Sequence, residues 1–154
     1  MRAKEFVSER DLSFSGFLNN KDFLDKIQKP FIINNNHDVP YVAGCSNDRN
    51  VIYFDQDLPE RVKGIDILKY ISFHEKVESA LMDMYGLDYQ PAHEIATKFE
   101  KKLVEHDGID WAKYCKAVDP YIKKLDKKSL RHCPKDLDLK PYIDEKDFKK
   151  FKSK

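Results

Sequence analysis

Apolar and polar positions recur with helical spacing between residues 66 and 86. A second apolar stripe lies beside the main one, so the segment is apolar over a broad surface, which predicts a centrally packed helix. Asp66 is a suitable N-cap for this helix and Gly86 a suitable end. The main stripe, with members three or four positions apart, consists of Ile67, Ile71, His74, Glu78, Leu81, Met82 and Tyr85. Two polar residues, His74 and Glu78, therefore occupy inward-facing positions.

Two further helices are predicted after the central one. The short link "GLDY" leads into an apolar face that runs from Ala92 to Val104, with Pro91 tolerated in the first turn. Because this link is short, the first two helices are expected to fold back as an antiparallel pair. A third helix is predicted to begin at Asp110, its cap, and to bend at Pro120.

The clearest strand signal precedes the central helix. The runs "PYVAG" and "NVIYFDQ" are rich in β-branched and aromatic residues and are separated by the turn-forming cluster "CSNDR", which predicts a hairpin. Upstream, "NKDFLDKIQ" predicts a brief helix with Asn20 as its cap, and "PFIINNN" is a short β-prone run. The predicted fold is therefore α+β, with a small hairpin or three-stranded sheet packed on about three helices.

The length of 154 residues corresponds to one domain with a single core. Residues 1–20 carry scattered aromatic side chains without periodicity, which predicts a loosely packed N-terminal arm. The single α+β domain is expected over residues 21–130. Beyond it the helical pattern breaks, which predicts an extended C-terminal tail over residues 131–154.

Composition limits the classes of partner. Charged residues make up 36% of the chain and the net charge is +1, which is typical of a globular protein and argues against nucleic-acid binding. Apolar runs fall short of the roughly 20 residues needed to cross a bilayer, and the first ten residues lack the apolar core of a signal peptide, so no membrane partner is predicted. Cys45, Cys115 and Cys133 form no CxxC pair, which favours reduced thiols in a cytoplasm, including that of a phage-infected cell. The sequence predicts no particular oligomeric state.

The two polar residues on the central helix are candidates for chemistry. Side chains four positions apart on a helix point the same way, so His74 and Glu78 present an imidazole and a carboxylate together. Burial of a carboxylate costs several kcal/mol of folding free energy unless another group compensates its charge. A divalent metal would do so, as would a hydrogen-bonding partner such as His93; a buried ion pair that only fixes helix packing is the ordinary alternative.

His93 begins its helix about where Glu78 lies on the preceding one, so the three side chains are expected to converge. Two histidines and one glutamate form the composition of catalytic zinc sites that keep an open position for water. Iron(II) and manganese(II) suit the same ligand types, with zinc preferred. Glu75 is a candidate general base, and Glu100 a candidate for orienting an imidazole from outside the ligand set, although a surface position is the ordinary expectation for Glu100.

The run "YISFHEKVESAL", preceded by "NVIYFDQDLP", resembles the active-site helix and edge strand of zincin-type metallohydrolases. Residues from about 40 to 114, with the motifs "YVAG", "VIYFDQDLP", "HEKVE", "GLDYQPAHEIATKFE" and "GIDWAKY", resemble small uncharacterised proteins encoded by bacteria and their phages. The resemblance implies metal-ligand roles for His74 and His93 and a base role for Glu75. Zincins have a histidine where this chain has Glu78, so Glu78 as a third ligand follows from helical geometry alone.

The predicted function is a zincin-like metal-dependent hydrolase that acts on a peptide or amide bond of a peptide or protein substrate. In this hypothesis the metal polarises the carbonyl and Glu75 takes the proton from the attacking water. The alternative is a non-enzymatic phage or prophage protein, an interaction or assembly component, in which the His/Glu cluster or its metal stabilises the fold. An open cleft beside Glu75, with a coordination position left for water, favours the hydrolase, whereas a closed four-ligand site or no bound metal favours the structural role.

Overall fold

A computed structural model of the chain describes residues 13–125 and 132–143. The fold is α+β, as the sequence predicts, and contains a small mixed three-stranded sheet. The helices are α1 (Phe14–Leu18), α2 (Lys21–Gln28), α3 (Ile67–Tyr85), α4 (Tyr89–His106), α5 (Trp111–Leu125) and α6 (Lys140–Ile143). The strands are β1 (Ile32–His37), β2 (Ala43–Cys45), β3 (Val51–Asp55), β4 (Arg61–Val62) and β5 (Ile65–Asp66).

The three-stranded sheet has β3 at its centre. Strand β2 pairs with β3 antiparallel, with Cys45 opposite Ile52, so the predicted hairpin is confirmed. Strand β1, from the β-prone run "PFIINNN", pairs with the other edge of β3 in parallel, with Ile33 opposite Ile52. Edge strand β2 lies against α3, which places the sheet beside the central helix.

A second hairpin, β4–β5, lies between the three-stranded sheet and helix α3, in a segment where no strand is predicted from the sequence. Its two turn residues, Lys63 and Gly64, have φ angles of 53° and 80°. Positive φ at both central residues is the geometry of a type I′ turn, which matches the twist of a two-residue hairpin. The strands are only two residues long and have no alternating apolar pattern, which explains why the periodicity missed them.

Helix α3 is the centre of the packing, as predicted. The Asp66 carboxylate accepts a hydrogen bond from the Lys69 N–H at its start, and Gly86 ends it in the left-handed region with φ of 67°. The first half of α3 contributes to an apolar cluster with the sheet and α5, which includes Ile71, Phe54 and Tyr114. Its second half contributes to another cluster with α1, α2 and α4, which includes Val77, Leu81, Phe17, Phe23 and Phe99. His74 and Glu78 lie between the two clusters.

The described part of the predicted N-terminal arm, residues 13–20, contains helix α1. Phe17 is 1% exposed and packs edge-on against Tyr85, at 5.2 Å between ring centroids. Asn20 caps α2, as predicted, and its side-chain amide also donates to the Tyr85 hydroxyl at 2.8 Å. Residues 1–12 lie outside the described residues.

The described part of the predicted tail, residues 132–143, runs beside β2. Leu137 forms an antiparallel bridge with Ser46, and the Asp138 N–H donates to the Cys45 carbonyl at 2.8 Å. The Arg49 guanidinium connects this segment to α3, since Nη1 lies 2.8 Å from Asp138 and Nε lies 2.9 Å from Asp83. Residues 126–131 and 144–154, which complete the predicted domain and tail, are not among those described. Each helix within 13–125 and 132–143 is too short or too polar to traverse a bilayer.

Candidate metal centre

Helices α3 and α4 pack closely along each other and carry the predicted ligands. His74 Nε2 lies 3.0 Å from Glu78 Oε2, His93 Nδ1 lies 3.0 Å from the same oxygen, and the two nitrogens are 3.2 Å apart. The short link between the helices brings His93 opposite Glu78, as its place in the sequence suggests. Among the described residues, these three form the group whose donor atoms could hold a metal ion.

Hydrogen bonds alone cannot satisfy all three contacts in this triangle of atoms. Each imidazole N–H can donate to Glu78 Oε2, but the two nitrogens then face each other at 3.2 Å as two donors. A cation inside the triangle would accept a lone pair from all three atoms. Tetrahedral zinc bound at about 2.0–2.2 Å has ligand atoms about 3.3–3.6 Å apart, so the observed separations of 3.0–3.2 Å would widen by a few tenths of an ångström around the ion.

The triangle is covered on one side and open on the other. The side chains of His74 and Glu78 are 9% and 7% exposed, whereas that of His93 is 40% exposed. The open side faces a cavity of about 500 Å³. Such an arrangement leaves space for water or a substrate group beside the three donor atoms.

Glu100 lies behind His74, where the sequence placed a residue that orients an imidazole. Its Oε1 accepts a hydrogen bond from His74 Nδ1 at 2.9 Å, which leaves Nε2 directed at the triangle. The second carboxylate oxygen of Glu100 accepts a short hydrogen bond from the Tyr114 hydroxyl on α5. A carboxylate that holds the far nitrogen of a histidine is the usual support of a metal-ligating imidazole.

Tyr114 is a residue of the site for which the sequence predicts no polar contact. Tyr114 is 2% exposed and its ring does pack against Tyr70 and Trp111. The available signal was a tyrosine rather than a phenylalanine on a fully apolar stripe, since a buried hydroxyl usually has a hydrogen-bonding partner. Burial and the neighbouring charge of Glu100 hold the pKa of Tyr114 far above its usual value, so the hydroxyl stays a donor.

The hydrogen bonds shift the pKa values of the buried pair in opposite directions. Burial opposes the charge on His74, but its hydrogen bonds with Glu100 and Glu78 outweigh burial and hold the pKa of His74 well above its usual value. Burial likewise opposes the charge on Glu78, but its bonds with His74 and His93 outweigh it and lower the pKa of Glu78. Without metal, the site therefore holds a protonated His74 beside an ionised Glu78.

Glu75, the candidate base, is half-buried at the cavity wall. Its backbone carbonyl accepts a bond from the Cys45 thiol at 3.7 Å, while its carboxylate has no hydrogen-bonding partner within the described residues. Burial, together with repulsion from the Glu78 charge, raises the pKa of Glu75 to about 8. Because it has no hydrogen-bonding partner among the described residues, the Glu75 carboxyl group is available to a water molecule or a ligand in the cavity.

Several elements contribute to the cavity. Besides the ligands, it is lined by Tyr41, Val42 and Ala43 before and within β2, by Ile71 and Met82 of α3, and by one face of α5. Comparison of the chain with protein-family models, with curated proteins and with solved structures gave no match. Functional inference therefore depends on the geometry of this site.

Proposed function

We propose that the protein is a zincin-like metal-dependent hydrolase that cleaves a peptide or amide bond, with zinc held by His74, Glu78 and His93. The observation that carries the proposal is the convergence of three donor atoms within 3.2 Å of one another at the wall of a cavity that Glu75 also lines. Two imidazoles and one carboxylate with an open side match the composition of catalytic zinc sites.

The residues of the chain would divide the chemistry among them. A bound zinc ion would polarise the substrate carbonyl and make water more acidic. Glu75 would accept the proton from the attacking water, since its carboxylate has no other partner in the described residues and borders the cavity. Glu100 would keep the His74 ring in the orientation that directs Nε2 at the ion, with Tyr114 holding Glu100 in turn.

The same donor set suits iron(II) and manganese(II), and zinc is our first choice because His₂Glu sites with an open position are characteristic of zinc hydrolases. A metal that binds only oxygen ligands would not select two imidazoles. The identity of the ion is therefore part of the proposal, to be measured on the purified protein.

A structural role for the cluster is the second candidate, and one observation favours it. The hydrogen bonds of Glu78 with His93 and of Glu100 with His74 already connect α3 to α4, and Tyr114 extends the network to α5. An interaction or assembly protein would need no more than this network, with or without an ion. The two candidates differ in what Glu75 does: the structural role gives it no task.

A cytoplasmic location, including the cytoplasm of a phage-infected cell, is part of the proposal. Its support is that Cys45 and Cys115 are free thiols, and that burial raises the pKa of Cys45 so that it stays protonated and unreactive. The mass of the protein isolated from cells without reductant, compared with the mass after reduction, would reveal any disulfide. An intramolecular disulfide in the native protein would contradict this assignment.

The test of the metal centre is metal content measured by mass spectrometry on the purified protein equilibrated with zinc. We expect close to one equivalent in the native chain and in His106→Ala, a control that removes an exposed histidine from the end of the same helix α4. His74→Ala and His93→Ala should lose the ion. Retention of the ion in His93→Ala would refute the ligand set.

The test of catalysis is Glu75→Gln assayed on a fluorogenic peptide mixture. A general base contributes about 10²- to 10⁴-fold, so we expect the variant to keep its zinc and to lose at least about 100-fold in turnover. Lys76→Gln, a change at the next position of α3, should keep both. Equal turnover by native protein and Glu75→Gln would favour the structural role.

A further inference from the structure

The charges around the cavity are unbalanced. Five of the described residues that line it carry carboxylates, namely Glu75, Glu78, Glu100, Asp119 and Asp138. Among those same lining residues, Arg49 is the only lysine or arginine. A divalent ion together with Arg49 supplies three positive charges, fewer than the four carboxylates other than Glu75 supply when they are ionised.

The Arg49 guanidinium is already engaged and has little capacity for a ligand. Its Nε and Nη2 bind the two oxygens of Asp83 at 2.9 and 3.0 Å, and its Nη1 binds Asp138 at 2.8 Å. Recognition of a carboxylate or phosphate group ordinarily uses an arginine fork or a lysine ammonium that is free to bind it. The described lining offers no such side-chain cation. An anionic substrate group would therefore lie beside carboxylates and have no lysine or arginine to pair with.

Helix α5 contributes an apolar surface to the cavity. Trp111, Cys115, Val118 and Ile122 are spaced three or four residues apart, and all four line the cavity. Ile122 is 38% exposed, although isoleucine on such a stripe is ordinarily buried in a core. Ile71 and Met82 of α3 also line the same space. A cavity of about 500 Å³ with an apolar wall and a few polar groups is typical of a site for a small apolar group.

We propose that the site selects an amide substrate with a large apolar side chain beside the scissile bond and rejects substrates that carry a negative charge there. This inference rests on the proposed function and adds the substrate class to it. The apolar side chain lies along the α5 face that contains Val118 and Ile122, and the carboxylates on the cavity wall exclude acidic side chains and phosphate esters. Ile122 is thereby a specificity-determining residue.

The experiment measures binding to the zinc-loaded protein by titration calorimetry, so that it does not depend on turnover. The probes are three hydroxamic acids that present the same zinc-binding group: acetohydroxamic acid, phenylacetohydroxamic acid and its 4-carboxyphenyl analogue. We expect the phenyl probe to bind at least about tenfold more tightly than the acetyl probe, because it buries an aromatic ring. We expect the carboxylated probe to bind at least about tenfold more weakly than the phenyl probe.

Two variants test whether the α5 face determines the preference between the phenyl and the carboxylated probe. Ile122→Lys introduces a cation on the exposed part of the α5 face, and it should improve binding of the carboxylated probe about tenfold or more relative to the phenyl probe. Ile33→Lys is the matched control, because Ile33 is also an exposed isoleucine (48%) but lies on β1 and does not line the cavity. This control should leave the preference between the two probes unchanged.

The outcomes separate the two proposals. One equivalent of zinc with equal or tighter binding of the carboxylated probe in the native protein would overturn the substrate class while leaving the metal centre intact. An unchanged preference in Ile122→Lys would remove the α5 face from the binding site. Failure to bind zinc, with no heat from any probe, would overturn the proposed function and this inference together.

Discussion

His74 and Glu78, the buried polar side chains between the two apolar clusters, have partners that offset the cost of their burial. Glu78 is 5% exposed, and a carboxylate at that depth is costly unless it is paired. Two imidazoles provide the pairing, and one of them is held from behind by Glu100. The residues thus form an ordered sequence of contacts from Tyr114 to the open side at His93.

The contacts of Tyr114 with Glu100 and of Glu100 with His74 lead to a prediction for zinc affinity. Loss of the group that orients a ligating histidine typically weakens metal binding about 10- to 100-fold. We expect Glu100→Gln to weaken zinc binding in that range, and Tyr114→Phe to weaken it in the same direction by less. Competition with a chromophoric zinc chelator measures both values.

Tyr70→Phe is the matched control for Tyr114→Phe. Tyr70 is 3% exposed, contacts the Tyr114 ring and donates its hydroxyl to Asp107, outside the cluster. Removal of this hydroxyl should lower stability by about 1 kcal/mol and leave zinc affinity unchanged. Equal zinc affinities in Tyr114→Phe and the native protein would show that the contact with Glu100 does not act on the metal centre.

Sequence predicted the residues of the site better than it predicted their supports. Helical periodicity directed His74 and Glu78 inward, and the short link after α3 placed His93 opposite them, because both effects act over a few residues. Tyr114 and Arg49 have their partners on other elements. A tyrosine on an apolar stripe indicates that its hydroxyl has a partner, but no local pattern identifies that partner or the two carboxylates that bind Arg49. The general-base role of Glu75 stays a prediction.

At the scale of secondary-structure elements, strong local signals were sufficient for α3, α4, α5 and the β2–β3 hairpin. The cap at Asp66, the stop at Gly86 and the β-branched runs all depend on neighbouring residues. The parallel pairing of β1 with β3 and the packing of residues 136–138 against β2 depend on tertiary contacts, so the sequence pattern could not specify them. A zincin-like fold likewise stays a prediction.

Arg49, in the turn between β2 and β3, binds Asp83 of α3 and Asp138 of the C-terminal segment. Its removal should weaken the attachment of that segment. Its backbone has a φ of 64°, so substitution by Asn keeps a residue that tolerates the left-handed region and removes only the guanidinium. We expect Arg49→Asn to lower the free energy of unfolding by about 2 kcal/mol, because two carboxylates lose a charged hydrogen-bonding partner. Urea denaturation measures this loss.

Hydrogen exchange locates the effect of the same variant. The Asp138 N–H, which donates to the Cys45 carbonyl, should exchange faster in Arg49→Asn than in the native protein. Arg61→Asn is the control, because Arg61 is exposed and its side chain makes one hydrogen bond within the described residues, to the Gly64 carbonyl. Unchanged exchange at Asp138 would show that backbone pairing alone holds the segment beside β2.

At the scale of the whole molecule, the shifted pKa values make the stability of the metal-free protein depend on pH. The pKa of His74 is raised by folding, so its contribution is complete below the usual value of about 6.5 and is lost as pH rises through the folded-state pKa. The pKa of Glu75 is raised to about 8, which acts in the same direction because the unfolded chain releases this proton first. The lowered pKa of Glu78 weakens the fold only at acid pH.

We therefore expect the metal-free protein to be less stable toward urea at about pH 9 than at about pH 6. His74→Gln should show a smaller decrease, whereas His106→Gln, which alters an exposed histidine, should show the native decrease. Equal stability of the native protein at the two pH values would contradict the protonated state that we assign to His74. A chelator is needed throughout, since bound zinc would compete with the proton.

The ion pair between Arg49 and Asp138 joins residues 89 positions apart, whereas His74 meets His93 over 19 positions and Glu100 over 26. Contacts between near neighbours in the chain form sooner during folding than those that close a long loop. The two helices that carry the ligands, α3 and α4, can therefore assemble before residues 136–138 dock beside β2. A zinc ion present during refolding would therefore reach its ligands while the cavity is still open on the side of residues 136–138, and it would bind before that segment packs.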